Sequence, residues 1–423
     1  MTMSASASPA ASVSLARAQR SLGDPEQLYP LWPPLTRGCP RTSTRQMSYP
    51  VDVDYDYARV PDGFLVGATG ADTGRGLDRW APLLPPLLVP TLGEGGTPLI
   101  DIGDGVLVKD ESRNPTWSHK DRLNRCTVSA AVGVDAPGIV VASSGNHGAS
   151  AAAYAARAGL RCVVLASAEL PPAVGSFLTA YGAVVLPVPA EERWPLTERI
   201  VDHFGFHPVS NLTPFHPVSN LTPFHTGSAF GPEGYKTVAY EIAAEVGVPG
   251  AVFVPTGYGE LLFGIGKGFA ELHRLGLIDR VPPLYSCEPA EGGPLAAAVR
   301  LGVPATRVAV GRTDAYGIDC PVNSYRGVLA LERSGGRALL VDDAALRRAQ
   351  AELAGQGLWL ELSAAAGLAG LRSLAEEVSG PVVCVATSSG FKDVGVGEHA
   401  LHPVDPSWEA VRERLVAQGI EAV

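Results

Sequence analysis

The amino-acid sequence predicts an α/β protein built from two open, twisted parallel sheets with helices on both faces. Three observations carry that prediction. From Leu87 onward, short apolar runs alternate with Ala-rich stretches of helical length, the pattern of parallel strands joined by right-handed crossovers. Several of these runs end in loops rich in Gly and hydroxyls that lead into a helix-like segment, and open α/β sheets bind ligands at such strand ends. With 423 residues, 46% of them hydrophobic, the chain is long enough for two such domains.

Residues 1–22 are rich in Ser and Ala and carry Arg17 and Arg20 but no acid, a composition shared with transit peptides. They lack the apolar core of a secretion signal and read as a disordered tail. Residues 23–85 hold prolines and aromatics, at Tyr29 to Pro34 and Tyr49 to Tyr57. They read as an extended arm packed on the body, with a dimer interface as one place for it. Residues 86–133 and 230–423 form a large domain, with strands expected at Val106 to Lys109, Val252 to Pro255 and Pro381 to Ala386. Residues 134–229 form a smaller, mobile domain, with strands at Ile139 to Ala142, Cys162 to Ala166 and Ala183 to Pro187. Inside it, His207 to Phe215 is repeated without change as His216 to Phe224. One duplication is not a solenoid, and its Pro and Asn content places it in a loop, where insertions are tolerated. One copy is expected to bulge from the surface. The even spacing of His207, His216 and His225 follows from the copying and matches no usual metal-ligand spacing.

A net charge of −10 argues against nucleic acid or an anionic membrane as the main partner, and an anionic ligand must be drawn by local charge. No apolar run reaches the length of a membrane span. The six cysteines, Cys39, Cys126, Cys162, Cys287, Cys320 and Cys384, include no close pair. They read as buried reduced thiols, not a disulfide framework or zinc site. A cytoplasmic enzyme without a metal fits these features.

The chemistry is concentrated in four loops. In Asn114-Pro115-Thr116-Trp117-Ser118-His119-Lys120-Asp121-Arg122, a lysine stands at the start of a helix-like segment. The helix dipole favours loss of its proton, and a free amine can form a Schiff base. A solvated lysine at a helix start has the same local sequence, so the motif draws its weight from the others. Ser143-Ser144-Gly145-Asn146-His147-Gly148 follows one apolar run, and Thr256-Gly257-Tyr258-Gly259-Glu260 follows another. Each would present backbone N–H groups to an anion at a helix N-terminus. Thr387-Ser388-Ser389-Gly390-Phe391-Lys392-Asp393 ends the last strand in hydroxyls, which can bond a pyridine nitrogen without bringing charge.

These loops, together with Leu92 to Leu99, Val108 to Glu111 and Gly231 to Thr237, resemble the fold-type-II pyridoxal-phosphate enzymes, and among them the threonine synthases. The resemblance runs from about Leu28 to about Leu374 and resumes at the last strand. It implies an active site in the cleft between the two domains, and it makes the large domain the cofactor-binding one. Lys120 is then the Schiff-base lysine and the base that moves the α-proton. Asn146 bonds the cofactor ring hydroxyl, and Thr256, Gly257, Tyr258 and Gly259 cradle its phosphate. Thr387 faces the ring nitrogen. Ser143 and Ser144 hold the carboxylate of an amino-acid substrate.

Threonine synthase chemistry uses an O-phosphorylated homoserine, which loses phosphate and gains water at Cβ, and a second phosphate needs cations. Arg113, Arg122, Lys109, Arg326 and Lys392 are the candidates, with Arg122 first. His119 stands where the family usually has Phe, and His147 replaces a small residue, so two imidazoles are placed near the substrate. Glu260 beside the phosphate loop needs a cation to face it. A homodimer acting on a small amino acid is expected. A serine/threonine dehydratase or a phosphoserine-using synthase of the same fold stays open as the alternative.

Overall fold

The computed structural model describes residues 14–44, 47–65, 76–168, 170–209, 228–375, 378–393 and 403–420. Among them the strands form three sheets. One is antiparallel and close to the N-terminus. Strands β1 (Ala16–Ser21), β2 (Leu28–Pro30) and β3 (Val51–Tyr55) pair in the order β2–β1–β3. The reading of residues 1–22 as a disordered tail is therefore corrected for residues 14–22, while residues 1–13 lie outside the described residues. The strand escaped notice because two of its inward positions are polar. Gln19 is fully buried, donates to the Pro30 carbonyl at 2.8 Å and accepts from the Leu35 N–H at 2.8 Å. Ser21 is likewise buried, 2.9 Å from the Thr42 hydroxyl. Satisfied polar groups tolerate burial, and they erase the apolar alternation that marks a strand.

The arm packs on its own chain. Tyr55 donates its hydroxyl to Glu233 at 2.7 Å, and Arg326 donates to the Val51 carbonyl at 2.6 Å.

The next elements run β4 (Leu99–Asp101), β5 (Val106–Asp110), α1 (Lys120–Gly133), β6 (Gly138–Ala142) and α2 (Asn146–Ala158). Then come β7 (Arg161–Ala166), α3 (Pro172–Ala180), β8 (Val184–Pro187), α4 (Arg193–Phe204) and β9 (His207–Pro208). After the duplicated segment follow α5 (Gly231–Tyr235), α6 (Thr237–Val246), β10 (Ala251–Pro255), α7 (Glu260–Arg274) and β11 (Leu284–Pro289). The chain continues through α8 (Pro294–Leu301), α9 (Tyr325–Ser334), β12 (Arg337–Val341), α10 (Asp343–Gly355), α11 (Ala366–Ser373), β13 (Val382–Ala386) and α12 (Trp408–Ala417).

The smaller α/β sheet has the order β8–β7–β6–β9, all parallel. The larger has the order β12–β11–β10–β13–β5–β4. It is parallel except at its edge, where β4 runs antiparallel to β5 with Ile100 opposite Val108. Every residue of β10 and β13 is buried, as expected for central strands covered by helices on both faces. One apolar cluster, including Leu261, Leu262, Val328 and Val385, covers one side, and another, including Leu346, Ala366, Leu368 and Cys384, covers the other. The bulge expected at 207–224 lies, apart from His207 to Val209, outside the described residues. His207 itself is buried in β9.

Candidate active site

The carboxyl ends of β6, β10 and β13 meet at a cavity of about 320 Å³. From the smaller sheet, Ser143, Ser144, Asn146 and His147 border it. From the larger sheet, Thr256, Gly257, Tyr258, Gly259 and Thr387 do, and His119 and Lys120 stand at the mouth of α1. The Lys120 loop is stitched to the end of β13: His119 N–H donates to the Thr387 carbonyl at 2.9 Å, and Ser389 N–H to the Trp117 carbonyl at 3.1 Å. Asp121 takes the Thr116 N–H at 2.7 Å and the Ser150 hydroxyl at 2.6 Å, which pins the turn before α1.

The chain has five lysines. Lys109, Lys236 and Lys267 are ion-paired with Glu241, Glu233 and Asp52, at 2.8, 2.7 and 2.8 Å. Lys392 donates to Asn146 at 2.9 Å. Lys120 alone makes no hydrogen bond or ion pair among the described residues. Its amine faces the cavity, with Nζ 5.6 Å from the centre of the Tyr235 ring. Burial lowers its pKa from 10.5 to about 8, against the pull of Glu260 and Cys320. A protonated amine cannot attack a carbonyl, so uptake of an aldehyde cofactor should speed up as pH rises through about 8 and level off above it. Stopped-flow absorbance of cofactor loading on the cofactor-free protein measures this. A rate still climbing toward pH 10 would mark an ordinary lysine.

Three groups fix the Asn146 amide. Its oxygen accepts from Lys392 at 2.9 Å and from the Ser388 hydroxyl at 3.1 Å, and its nitrogen donates to Glu361 at 2.8 Å. Burial raises the Glu361 carboxyl and lowers Lys392 to about 8.

The loop from Thr256 to Gly259 opens the 15-residue helix α7. Its geometry requires glycine at Gly259, where φ is +93° and an added Cβ would lie 2.9 Å from the Gly327 Cα. Gly259→Ala should weaken cofactor binding at least about tenfold by pushing the loop off α9, a shift readable as a higher cofactor Kd by fluorescence titration. Glu260, the acid beside this loop, is met by Arg326, whose Nη1 lies 3.0 and 2.7 Å from its two oxygens. The cation that the sequence reading required is thus present.

The two histidines act as hydrogen-bonding struts. His119 Nδ1 lies 3.1 Å from the Thr387 carbonyl, which can only accept, so that nitrogen carries the proton. Burial and the neighbouring Lys120 push its pKa well below 6.5, and its ring stacks on Tyr235. His147 receives the Asn124 amide on Nδ1 at 3.2 Å and donates from Nε2 to the Val209 carbonyl at 3.1 Å, so both nitrogens are engaged.

Arg122 lies away from the cavity. It was expected to clamp the substrate, yet it is fully buried, does not border the cavity, and is held by Glu111 at 2.6 Å and Glu241 at 2.6 Å. Burial alone would lower its pKa, but Glu111 and Glu241 outweigh it and raise the pKa above the ordinary arginine value. Of the other cations considered, Lys109 and Arg326 are buried in ion pairs, and Arg113 is exposed beside Asp110.

Sequence reasoning missed Glu361, Arg193 and Trp194, which also border the cavity. For Glu361 there was a signal, a lone acid in the apolar run Leu358 to Ala366.

A free amine, a glycine loop at a helix N-terminus and an uncharged hydroxyl at the end of the neighbouring strand fit an aldehyde cofactor that carries a phosphate. Residues 90–388 match the model of the pyridoxal-phosphate dependent enzymes, and the chain belongs to that family. Within it, the chain is similar to threonine synthases. It is 31% identical over 392 residues to that of Methanosarcina acetivorans, covering 86% of this chain and 92% of the relative. It is 32% identical over 335 residues to that of Methanocaldococcus jannaschii, covering 72% and 76%. The solved structure of maize serine racemase shares the fold, with a TM-score of 0.58 at 18% identity over 76% of this chain and 93% of that one.

Proposed function

We propose that the protein is a threonine synthase-like lyase that converts an O-phosphorylated homoserine and water to threonine and inorganic phosphate. The observation that carries this reading is the unpartnered Lys120 amine in a cavity shared with the Thr256 to Gly259 loop, in a chain similar to threonine synthases over most of its length. When bound, pyridoxal phosphate supplies the electron sink that lets a proton leave the substrate α-carbon.

The chain's residues do the rest. Lys120 holds the cofactor and, when released, carries the proton to and from the α-carbon, a task suited to an amine lowered to about 8. Thr256, Gly257, Tyr258 and Gly259 receive the cofactor phosphate on α7, and Asn146, fixed by Lys392, Ser388 and Glu361, receives the ring hydroxyl. The Thr387 hydroxyl meets the ring nitrogen without charge. Ser143 and Ser144, with the N–H groups at the start of α2, take the substrate carboxylate. His119 and His147 position these groups. In the overall reaction the Cγ–O bond breaks and phosphate leaves with the electron pair. Cβ gives up one proton and Cγ takes one up to become the methyl group, and water adds its hydroxyl at Cβ with its remaining proton going to the released phosphate.

We also place the protein in the cytoplasm as a homodimer. Its six cysteines are buried and unpaired, and no helix among the described residues is long and apolar enough to cross a membrane. Exposed Val299 and Leu301 offer apolar surface to a second copy, and a monomeric mass by sedimentation would remove the dimer from this reading.

The test of function is incubation of the holoenzyme with O-phospho-L-homoserine. Phosphate and L-threonine should appear in equal amounts. Failure to form threonine, with ammonia released from serine or threonine instead, would move the protein to the dehydratases.

A further inference from the structure

A substrate phosphate brings two negative charges into a cavity that already has to hold the cofactor's phosphate. The five cations that the sequence suggests for it are committed elsewhere: Lys109 and Arg122 to Glu241, Arg326 to Glu260, Arg113 to Asp110 and Lys392 to Asn146, and none of the five borders the cavity. Among the described residues, the lysine and arginine side chains that do border it are Lys120 and Arg193. Lys120 is needed for the cofactor.

Arg193 opens α4, on the smaller-sheet side of the cavity, and its guanidinium has no hydrogen bond or salt bridge among the described residues. Its Nε is buried without a partner. A buried, unsatisfied guanidinium N–H costs stability unless a ligand supplies the acceptor. The next residue, Trp194, also lines the cavity, and its ring lies 6.4 Å from that of Tyr258 in the cofactor-phosphate loop. Asp319, a carboxylate that also borders the cavity, would repel a phosphate that strayed toward it.

We propose that Arg193 grips the phosphate of the substrate and makes the enzyme select phosphorylated over unphosphorylated amino acids. The proposal rests on the reading of the site as a phosphohomoserine-type lyase. A guanidinium fork takes two phosphate oxygens at once and stabilises the charge that gathers on them as the Cγ–O bond breaks. It also gives the substrate a contact on the smaller-sheet side of the cavity, and so favours a closed, dry cavity.

The test uses holoenzymes of wild type, Arg193→Ala, Arg193→Gln and Arg193→Lys, each checked for the cofactor's visible band. O-phospho-L-homoserine and L-homoserine are titrated against that band, and steady-state KM and kcat are measured with the former. Arg193→Ala and Arg193→Gln should raise the Kd and KM for the phosphorylated ligand roughly 10- to 100-fold, as for loss of a charge-assisted contact. Binding of L-homoserine should change less than about twofold, and Arg193→Lys should recover part of the loss. Inorganic phosphate should compete with the substrate in the wild type and should inhibit the alanine variant at least about tenfold less. Equal loss for both ligands would make Arg193 a residue that only shapes the pocket, and no loss would remove it from recognition; either result overturns the proposal while wild-type turnover keeps the functional reading. A wild type that neither turns over O-phospho-L-homoserine nor binds it more tightly than L-homoserine would overturn both.

Discussion

Lys120→Ala is expected to lower turnover by at least ~10³-fold and to leave the fold in place. Under the proposed function two roles would be lost together, attachment of the cofactor and carriage of the α-proton, with no second free amine to replace them. Three of the other four lysines are held in ion pairs, and Lys392 is buried behind Asn146. Stability should not fall, because the Lys120 amine gives up no hydrogen bond or ion pair and its burial already disfavours the charged form. Steady-state kinetics with O-phospho-L-homoserine and a thermal melt of the cofactor-free variant check both halves. A variant with a tenth of wild-type activity would contradict the assignment.

Arg122→Met should show the opposite pattern, a large loss of stability with KM little changed per folded molecule. The guanidinium is the hub of a buried cluster: it meets Glu111 and Glu241, and also the Thr237 hydroxyl at 2.8 Å and the Thr97 hydroxyl at 3.0 Å. Removing it strands Glu111, with Lys109 left as the cation facing Glu241. Breaking a buried pair in this way costs about 3–5 kcal/mol. Urea unfolding of the cofactor-free protein reads the cost. A raised KM for the phosphorylated substrate at unchanged stability would restore Arg122 to the substrate-clamping role that the structure denies it.

The contrast between these residues shows where the sequence was legible. Lys120, the Ser143 to Gly148 turn, the Thr256 to Gly259 loop and Thr387 each follow a strand or open a helix, so local pattern places them at one end of a parallel sheet. Arg122 misled through nearness in sequence. In a helix a residue two positions on lies about 200° around the axis, so Arg122 faces away from the Lys120 side. Arg193 left no local trace, since only the packing of α4 brings it to the cavity, with its neighbour Trp194 set against Tyr258 across 64 positions of sequence. The N-terminal strand failed for a different reason. Gln19 and Ser21 find partners inside, and periodicity reads only apolar inward positions. Glu361 was legible as a charge in an apolar run, but its partner Asn146 lies 215 positions away and only folding reveals it.

The central claim is that Lys120 holds pyridoxal phosphate in this cavity. Borohydride reduction of the holoenzyme fixes the cofactor to whichever lysine carries it, and mass spectrometry of the digest locates the added group. The account predicts it on the peptide containing Lys120, with Lys392 unmodified although burial brings its amine to a similar pKa of about 8. The group on Lys392, or on no lysine at all, would contradict it.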